Sequence, residues 1–291
     1  MIGIILNNKT PLKVIIFCCL LFLKVTSCYA GAPAKRIITL SDAISETVWA
    51  LGYGNAMIAT DVTSQYPAQV KNLPKVSKNR NVSLEVLLSF APDLVLAPEK
   101  EVSANLRYQL KNAGIKLVTI NQNYSTTGVS DFIKQIANAI GDKQKGESLA
   151  KLTQEKLVRA LEKVKSGKHK AKKVLFIYAR GVGTMTVAGN GSQMAEIIKL
   201  AGAHNAVKEF SDYKPYSTET LIKTNPDVIL LFDFGLSSLG GTKSLLQLPG
   251  VMATNAGKNG NIIQVDGPLM VNFSVRLPEA IALLHQKLYG L

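Results

Sequence analysis

The sequence predicts an α/β fold of two lobes, each built on a parallel sheet, joined by one long helix. Three observations predict it. Strand-like and helix-like segments alternate through most of the chain, one helix–strand unit occurs twice, and an unbroken helix-forming stretch separates the two series. Alternation of this kind places helices on both faces of parallel sheets.

The elements follow in order. Residues 1–30 stand apart from the fold. Lys9 and Lys13 precede an apolar run of ten residues, Val14 to Leu23, and Cys28-Tyr29-Ala30 puts a small residue before Gly31. That is the layout of a secretory signal peptide, and ten apolar residues fall short of a hydrocarbon core about 30 Å thick. In the lobe expected over residues 31–142, Arg36 to Leu40 reads as a strand. Ser41 to Leu51 reads as a helix capped by Ser41 or Asp42 and ended by Gly52. Met57 to Thr60 is a short strand. Ala104 to Ala113 is helical, Gly114 stops it, and Lys116 to Ile120 is the next strand. In the lobe expected over 171–291, Val174 to Tyr178 opens a second series. Ser192 to Ala201 is a helix stopped by Gly202, and Leu277 to Tyr289 is the closing helix.

Residues Ser83 to Leu96 and Ser217 to Leu230 are two copies of one unit, offset by 134 residues without a gap. Ser, Glu, Leu, Pro, Asp and Leu recur at the same places. The serines can cap a short helix. Glu85 and Glu219 sit in the first turn, where a negative charge meets the positive end of the helix dipole. The prolines disfavour helix in the residue before them. The apolar runs that follow, Leu94 to Ala97 and Val228 to Phe232, read as buried parallel strands. Two such units imply two similar lobes.

Ser130 to Lys165 is almost wholly helix-forming, with breaks expected at Gly141 and Gly146. A linking helix is therefore placed within residues 143–170. A helical strut is stiffer than a Gly/Ser tether, so lobe closure should be small.

Composition narrows the function. The net charge is +14, and removing the leader with its three lysines leaves +11. Lys165, Lys168, Lys170, Lys172 and Lys173 form the densest basic run, which reads as a solvated linker without interleaved aromatics. No nucleic-acid-binding motif accompanies it. All three cysteines, Cys18, Cys19 and Cys28, fall in the leader, so cleavage after Ala30 leaves no disulfide and no thiolate. Val25-Thr26-Ser27-Cys28 offers a weaker alternative, a lipid anchor at Cys28. No Gly-x-Ser-x-Gly, His-Glu-x-x-His or P-loop is present, which argues against an enzyme. His169, His204 and His285 are not clustered in the sequence, which argues against a zinc or manganese carrier. Met185, Met194 and Met270 read as packing residues.

Several segments together carry a resemblance. They are Asp61-Val62-Thr63-Ser64-Gln65-Tyr66-Pro67, Leu73-Pro74-Lys75-Val76, Val187-Ala188-Gly189, Tyr213-Lys214-Pro215, Gly235 to Gly241, Leu248-Pro249-Gly250 and Arg276 to Ala280. With them the mature chain resembles the periplasmic haem-binding proteins of Gram-negative haem-uptake ABC transporters. These belong to the helical-backbone (class III) binding proteins, which also carry cobalamin and ferric siderophores. The resemblance implies two Rossmann-like lobes around a cleft, a monomer in the periplasm, and transport without a chemical step. Its partners are an ABC permease and its ATPase, and haem is the transported ligand. It also implies that Glu85 and Glu219, one per lobe, meet arginines on the permease.

The expected site departs from the family pattern. The family reads Gly-Tyr-x-Arg after Leu-Pro-x-Val, and the Tyr phenolate binds iron. Here the stretch is Val76-Ser77-Lys78-Asn79-Arg80, with Lys78 in place of the tyrosine. An ammonium cannot bind iron until it loses its proton, which is unfavourable at an ordinary lysine pKa of about 10. Lys78 and Arg80 can instead meet haem propionates. Tyr66 then becomes the candidate axial ligand, with Tyr213 and Tyr216 as candidates from the opposite lobe and Lys214 and Arg276 as further ligand-binding positions. A ferric-siderophore or corrinoid carrier of the same fold is the alternative, since those cargos need no axial tyrosine.

Overall fold

The structure, a computed structural model, describes residues 33–77 and 81–290. The leader, with Cys28, and the pair Lys78 and Arg80 lie outside the described residues. Residues 33–291 cluster as one compact unit that contains two sheets.

The first sheet is parallel throughout, in the order β2 (Met57–Thr60), β1 (Ile37–Thr39), β3 (Leu94–Pro98), β4 (Lys116–Ile120). Its helices are α1 (Asp42–Val48), α2 (Ala68–Lys71), α3 (Leu84–Ser89), α4 (Ala104–Asn112) and α5 (Gly128–Ile140). The second sheet runs β10 (Ile262–Val265), β9 (Val228–Phe232), β5 (Lys173–Ala179), β6 (Met185–Ala188), β8 (Tyr213–Pro215), with β7 (His204–Asn205) pairing β5. This sheet is mixed, which corrects the expectation of two parallel sheets: β6 pairs antiparallel with both β5 and β8. The cause is local. Residues 180–184 turn the chain back on itself, so β6 returns as a hairpin instead of crossing over through a helix.

The two copies of the repeated unit fold alike. Ser83 accepts a hydrogen bond from the Val86 backbone N–H and Ser217 from that of Thr220, so both helices carry the expected cap. Ala91 and Asn225, equivalent positions before the prolines, both have positive φ, at 45° and 40°. The repeated aspartates have a further use. Asp93 accepts the backbone N–H groups of Lys35 and Arg36 where β1 begins, and Asp227 accepts that of Lys173 where β5 begins. The cations at those starts answer in kind: Arg36 donates to the Phe90 carbonyl and Lys173 to the Thr224 carbonyl, at equivalent helix ends. Each copy thus ties its helix to the neighbouring strand by the same pair of bonds.

Gly141 ends α5 at φ 103°, as its position predicts. Gly146 does not break the next helix, which corrects that expectation. The long helix α6 (Lys143–Ser166) runs through it, and a Cβ there would lie 2.5 Å from the Ala137 Cβ. At Gly146 the backbone of α6 lies against Ala137 of α5 with no room for a side chain. Further along, α6 packs against α13 (Leu277–Tyr289), so one helix touches both halves. The remaining helices, α7 (Gln193–Leu200), α8 (Thr218–Thr224), α9 (Asp233–Ser238), α10 (Gly241–Leu246), α11 (Asn255–Lys258) and α12 (Gly267–Val271), belong to the second half. A single core cluster runs from Ile37 and Leu94 of the first sheet through Leu157 of α6 to Phe176 and Leu230 of the second.

Two other readings change. Ser41 holds the N-cap position of α1 but its side chain makes no cap bond. His169 is not in a solvated linker: its ring stacks on Tyr289 with centroids 3.5 Å apart and stands 5.0 Å from the ring of His285. Both histidines are structural, packed where α13 closes the second half.

Candidate functional site

In open α/β sheets, ligands bind beyond the carboxyl ends of the strands. Both sheets obey this, and their carboxyl ends line one shared cavity of about 630 Å³. That size lies within the ordinary range for small-molecule sites, about 300–1,000 Å³. From the first half come Asp42 after β1, Glu99 to Glu101 after β3, and Gln122 and Tyr124 after β4. From the second come Tyr178 and Arg180 at the end of β5, Phe232 and Phe234 at the end of β9, Tyr213 of β8, and Asn272 after α12.

The second half supplies an aromatic wall. Tyr178 meets Phe232 and Phe234 edge-on, with centroids 6.3 and 5.8 Å apart, and Phe232 and Phe234 tilt against each other at 5.5 Å. Arg180 lies 4.7 Å from the Phe234 ring centre and donates from Nε to the Tyr178 hydroxyl at 2.6 Å. Tyr213 packs edge-on against Phe176, and burial pushes its phenol up to about 12. On the first half, Tyr124 is held edge-on by Phe273. Glu99, Lys100 and Glu101 are exposed and set mixed charge at the mouth. Aromatic faces with a few cations suit a large flat ligand that carries acidic groups.

One side of the cavity is closed by a buried polar seam between the halves. Asp42 accepts the Gln65 backbone N–H at 2.6 Å and the Asn272 side-chain amide at 2.7 Å. Glu46, one turn further along α1, is 1% exposed. It accepts from Asn272 at 3.2 Å and from the Ser274 hydroxyl, with Arg276 3.8 Å away. Burial first, then the neighbouring Asp42, pushes the Glu46 carboxyl up to about 8. Gln122 donates across the same seam to the Asn272 and Phe273 carbonyls. Behind it, Asp61, Ser64, Ser45 and Thr39 form a buried hydrogen-bonded chain. That is the physical content of the Asp61 to Ser64 segment singled out in the sequence.

The predicted site residues are distributed unevenly. Tyr213 lines the cavity. Tyr66, Lys214, Tyr216 and Arg276 do not. Tyr66 is 44% exposed, with its ring covered by the Arg276 guanidinium at 3.7 Å. Lys214 lies 4.8 Å from the Phe210 ring. Tyr216 packs with the cluster around Leu221 and Leu245 and donates to the Pro249 carbonyl. Lys78 and Arg80 lie outside the described residues. Glu85 and Glu219 are exposed at the starts of α3 and α8. The sequence reading missed Tyr124, Tyr178, Arg180, Phe232 and Phe234. Their signal was present for four: Tyr178 and Phe232 end the strands predicted over Val174 to Tyr178 and Val228 to Phe232, and Arg180 and Phe234 come two residues after those ends. No group of three or more His, Cys, Asp or Glu side chains that could hold a metal ion occurs among the described residues.

A model of the periplasmic binding protein family matches residues 37–269. The chain belongs to that family. As a periplasmic binding protein it is a substrate-binding component of an ABC transporter, with the class III fold of two α/β halves and a long backbone helix. It is 30% identical to an uncharacterised ABC transporter substrate-binding lipoprotein, YvrC, of Bacillus subtilis (strain 168), over 88% of this chain and 80% of that one. It is 26% identical to a vitamin B12-binding protein of Vibrio parahaemolyticus, over 78% of this chain and 81% of that one. Among solved structures it is similar to the apo form of the periplasmic heme-binding protein RhuT from Roseiflexus sp. RS-1. The TM-score is 0.84 and the identity 32%, covering 89% of this chain and 99% of RhuT. No helix of the described residues is long and apolar enough to cross a membrane.

Proposed function

We propose that this periplasmic binding protein captures haem in the cavity between its two halves and delivers it to an ABC permease and its ATPase. One observation carries the reading: the cavity at the facing carboxyl ends of the two sheets has a wall of Tyr178, Phe232 and Phe234, with Arg180 beside it. A porphyrin is flat, apolar over both faces and anionic at one edge, and each property has a counterpart there. The likeness to RhuT, described as heme-binding, supports it. Lys78 and Arg80 meet the propionates, Tyr213 packs against the macrocycle, and Glu85 and Glu219 dock one half each on the permease, which delivers haem from the periplasm. Residues 143–170 act as the strut that keeps closure small.

A corrinoid is the second reading, favoured by the similarity to the vitamin B12-binding protein. The test is a titration of the purified mature chain with hemin and with cobalamin. Haem binding shifts the Soret band and gives saturable uptake at micromolar hemin or below. Saturable binding of cobalamin with an unshifted Soret band would replace haem by the corrinoid.

A further inference from the structure

We propose that Leu88 and Ile222 are a matched pair of apolar anchors for the ABC permease, each seating in an apolar hollow beside the cation that meets Glu85 or Glu219. This rests on the delivery reading and goes beyond it by naming the contacts that hold the docked complex together.

The two residues are equivalent in the repeated unit, 134 positions apart. Each stands three residues after its glutamate, so a carboxylate and an aliphatic side chain share one face of a short helix. That face is open. Leu88 is 44% exposed and Ile222 49%, and Glu85 and Glu219 are exposed beside them. The residues one step earlier, Leu87 and Leu221, are fully buried and hold each helix on its half. No ion pair among the described residues engages either glutamate, and Lys223, one turn after Glu219, does not close on it.

Single exposed aliphatic residues are ordinary on a protein surface. A comparison of the two copies sets this pair apart. Leu84 and Val86 are half-buried, and Thr218 and Thr220 replace them in the second copy. The exposed Ser89 becomes Lys223. The open position between them stays aliphatic. Packing within the chain tolerates threonine at the two sheltered positions, so it does not explain an aliphatic side chain at the exposed one. Other exposed apolar side chains have a use already: Tyr124, Tyr213 and Phe234 line the cavity, and Arg276 covers Tyr66.

Ile222 is also held in place. A Cβ at Gly250, where φ is 85°, would lie 3.2 Å from Ile222 Cγ1 and 2.7 Å from Thr218 Cγ2. One side of Ile222 thus rests on this turn while the rest faces solvent. Such support lowers the ordering cost of binding.

Charge identifies the partner. The chain carries +14, yet both faces present carboxylates without a cation. A surface with two equivalent sites, each with a cation beside an apolar hollow, complements both halves at once. In the delivery reading that surface belongs to the permease. The two parts of each patch then act on different rates. The carboxylates steer approach, and the buried aliphatic side chains slow departure.

The test measures binding kinetics of the full mature chain on the permease and ATPase held in nanodiscs. Wild type, Leu88→Gln, Ile222→Gln, the double variant, Leu88→Met and Ile222→Val are compared. Each glutamine variant is expected to weaken binding by about tenfold through faster dissociation, with the association rate and its salt dependence unchanged. The double variant should lose about a hundredfold, because the sites share no contact. Leu88→Met and Ile222→Val should stay within about twofold of wild type. Hemin titrations and urea midpoints should match wild type in all variants. Wild-type dissociation by the double variant overturns the proposal and leaves delivery to the permease intact. A loss confined to one half overturns the matched pair. Slower association with unchanged dissociation overturns the anchoring role. Absence of any binding by wild type defeats the delivery reading itself.

Discussion

The Arg276 guanidinium lies 3.7 Å from the centre of the Tyr66 ring, joining the last helix of the second half to the loop after β2 of the first. The same guanidinium bonds Glu279 at 3.1 and 3.2 Å and stands 3.8 Å from the buried Glu46. Both residues read as ligand contacts in the sequence. In the fold they are a clasp between the halves, at the outer end of the seam formed by Asp42, Glu46, Asn272 and Ser274.

Arg276→Ala should therefore lower stability by about 1–2 kcal/mol, because it removes a partly desolvated cation–π contact. Arg276→Lys should recover less than half of that, since an ammonium lacks the planar face that stacks on a ring. Tyr66→Phe should leave stability nearly unchanged, because the ring stays. Urea midpoints check all three, and an Arg276→Ala midpoint equal to wild type would remove the clasp.

Glu46 makes stability depend on pH. Its carboxyl sits at about 8 in the fold, against about 4.3 in an unfolded chain. Burial raises it most and Asp42 adds to this, while Arg276 and Asn272 work against them and Glu279 adds a little. The folded state binds the extra proton between those two values, so stability falls as pH rises. The contribution is whole below about pH 4, is lost progressively through the window up to about pH 8, and is flat above it. Asp42 is also raised, mainly by burial, and acts with the same sign. Glu46→Gln should remove most of the slope, so its melting temperature gains on wild type between about pH 5 and pH 9. Parallel curves for the two proteins across that window would contradict the assignment.

The repeated aspartates predict a matched pair of losses. Asp93→Ala frees the Lys35 and Arg36 N–H groups, and Asp227→Ala frees that of Lys173. Each should cost about 1 kcal/mol, given the partial exposure of these bonds. The losses should add in the double variant, because the residues share no partner. Denaturant midpoints measure this, and a loss confined to one half would show that the two copies differ energetically.

The repeated unit was legible because local chemistry decides it. Ser83 and Ser217 cap, Pro92 and Pro226 stop, and a six-residue identity fixes the pairing of the copies. Gly141 and Gly202 were legible for the same reason, since a positive φ after a helix favours glycine. Gly146 was not, because a glycine retained for close approach looks in sequence like one that ends a helix. The hairpin that makes the second sheet mixed was not legible, because Gly181 and Gly183 permit a turn without fixing where the chain goes next. The cavity residues escaped for a related reason. Tyr178, Phe232 and Tyr124 end or follow strands far apart in sequence and meet only through the arrangement of two sheets. Asp42 read as an alternative cap of its helix and Glu46 drew no reading, because only the packing of the second half buries the pair.

Glu85 and Glu219 give a prediction that separates docking from binding. Both are exposed, both sit in the first turn of equivalent helices, and neither lines the cavity. Reversing their charge should leave hemin titration unchanged and impair transfer to the permease. Two carboxylates set one on each half constrain orientation as well as attraction, so loss of either should slow association and reduce its dependence on salt. In proteoliposomes carrying the permease and ATPase, Glu85→Lys and Glu219→Lys should each reduce stimulated ATP hydrolysis, and the double variant should abolish it. The helix caps survive these changes, because the capping oxygens belong to Ser83 and Ser217, so unchanged melting curves would exclude unfolding as the cause. Full stimulation by the double variant would mean that the repeated glutamates serve only the dipoles of their own helices.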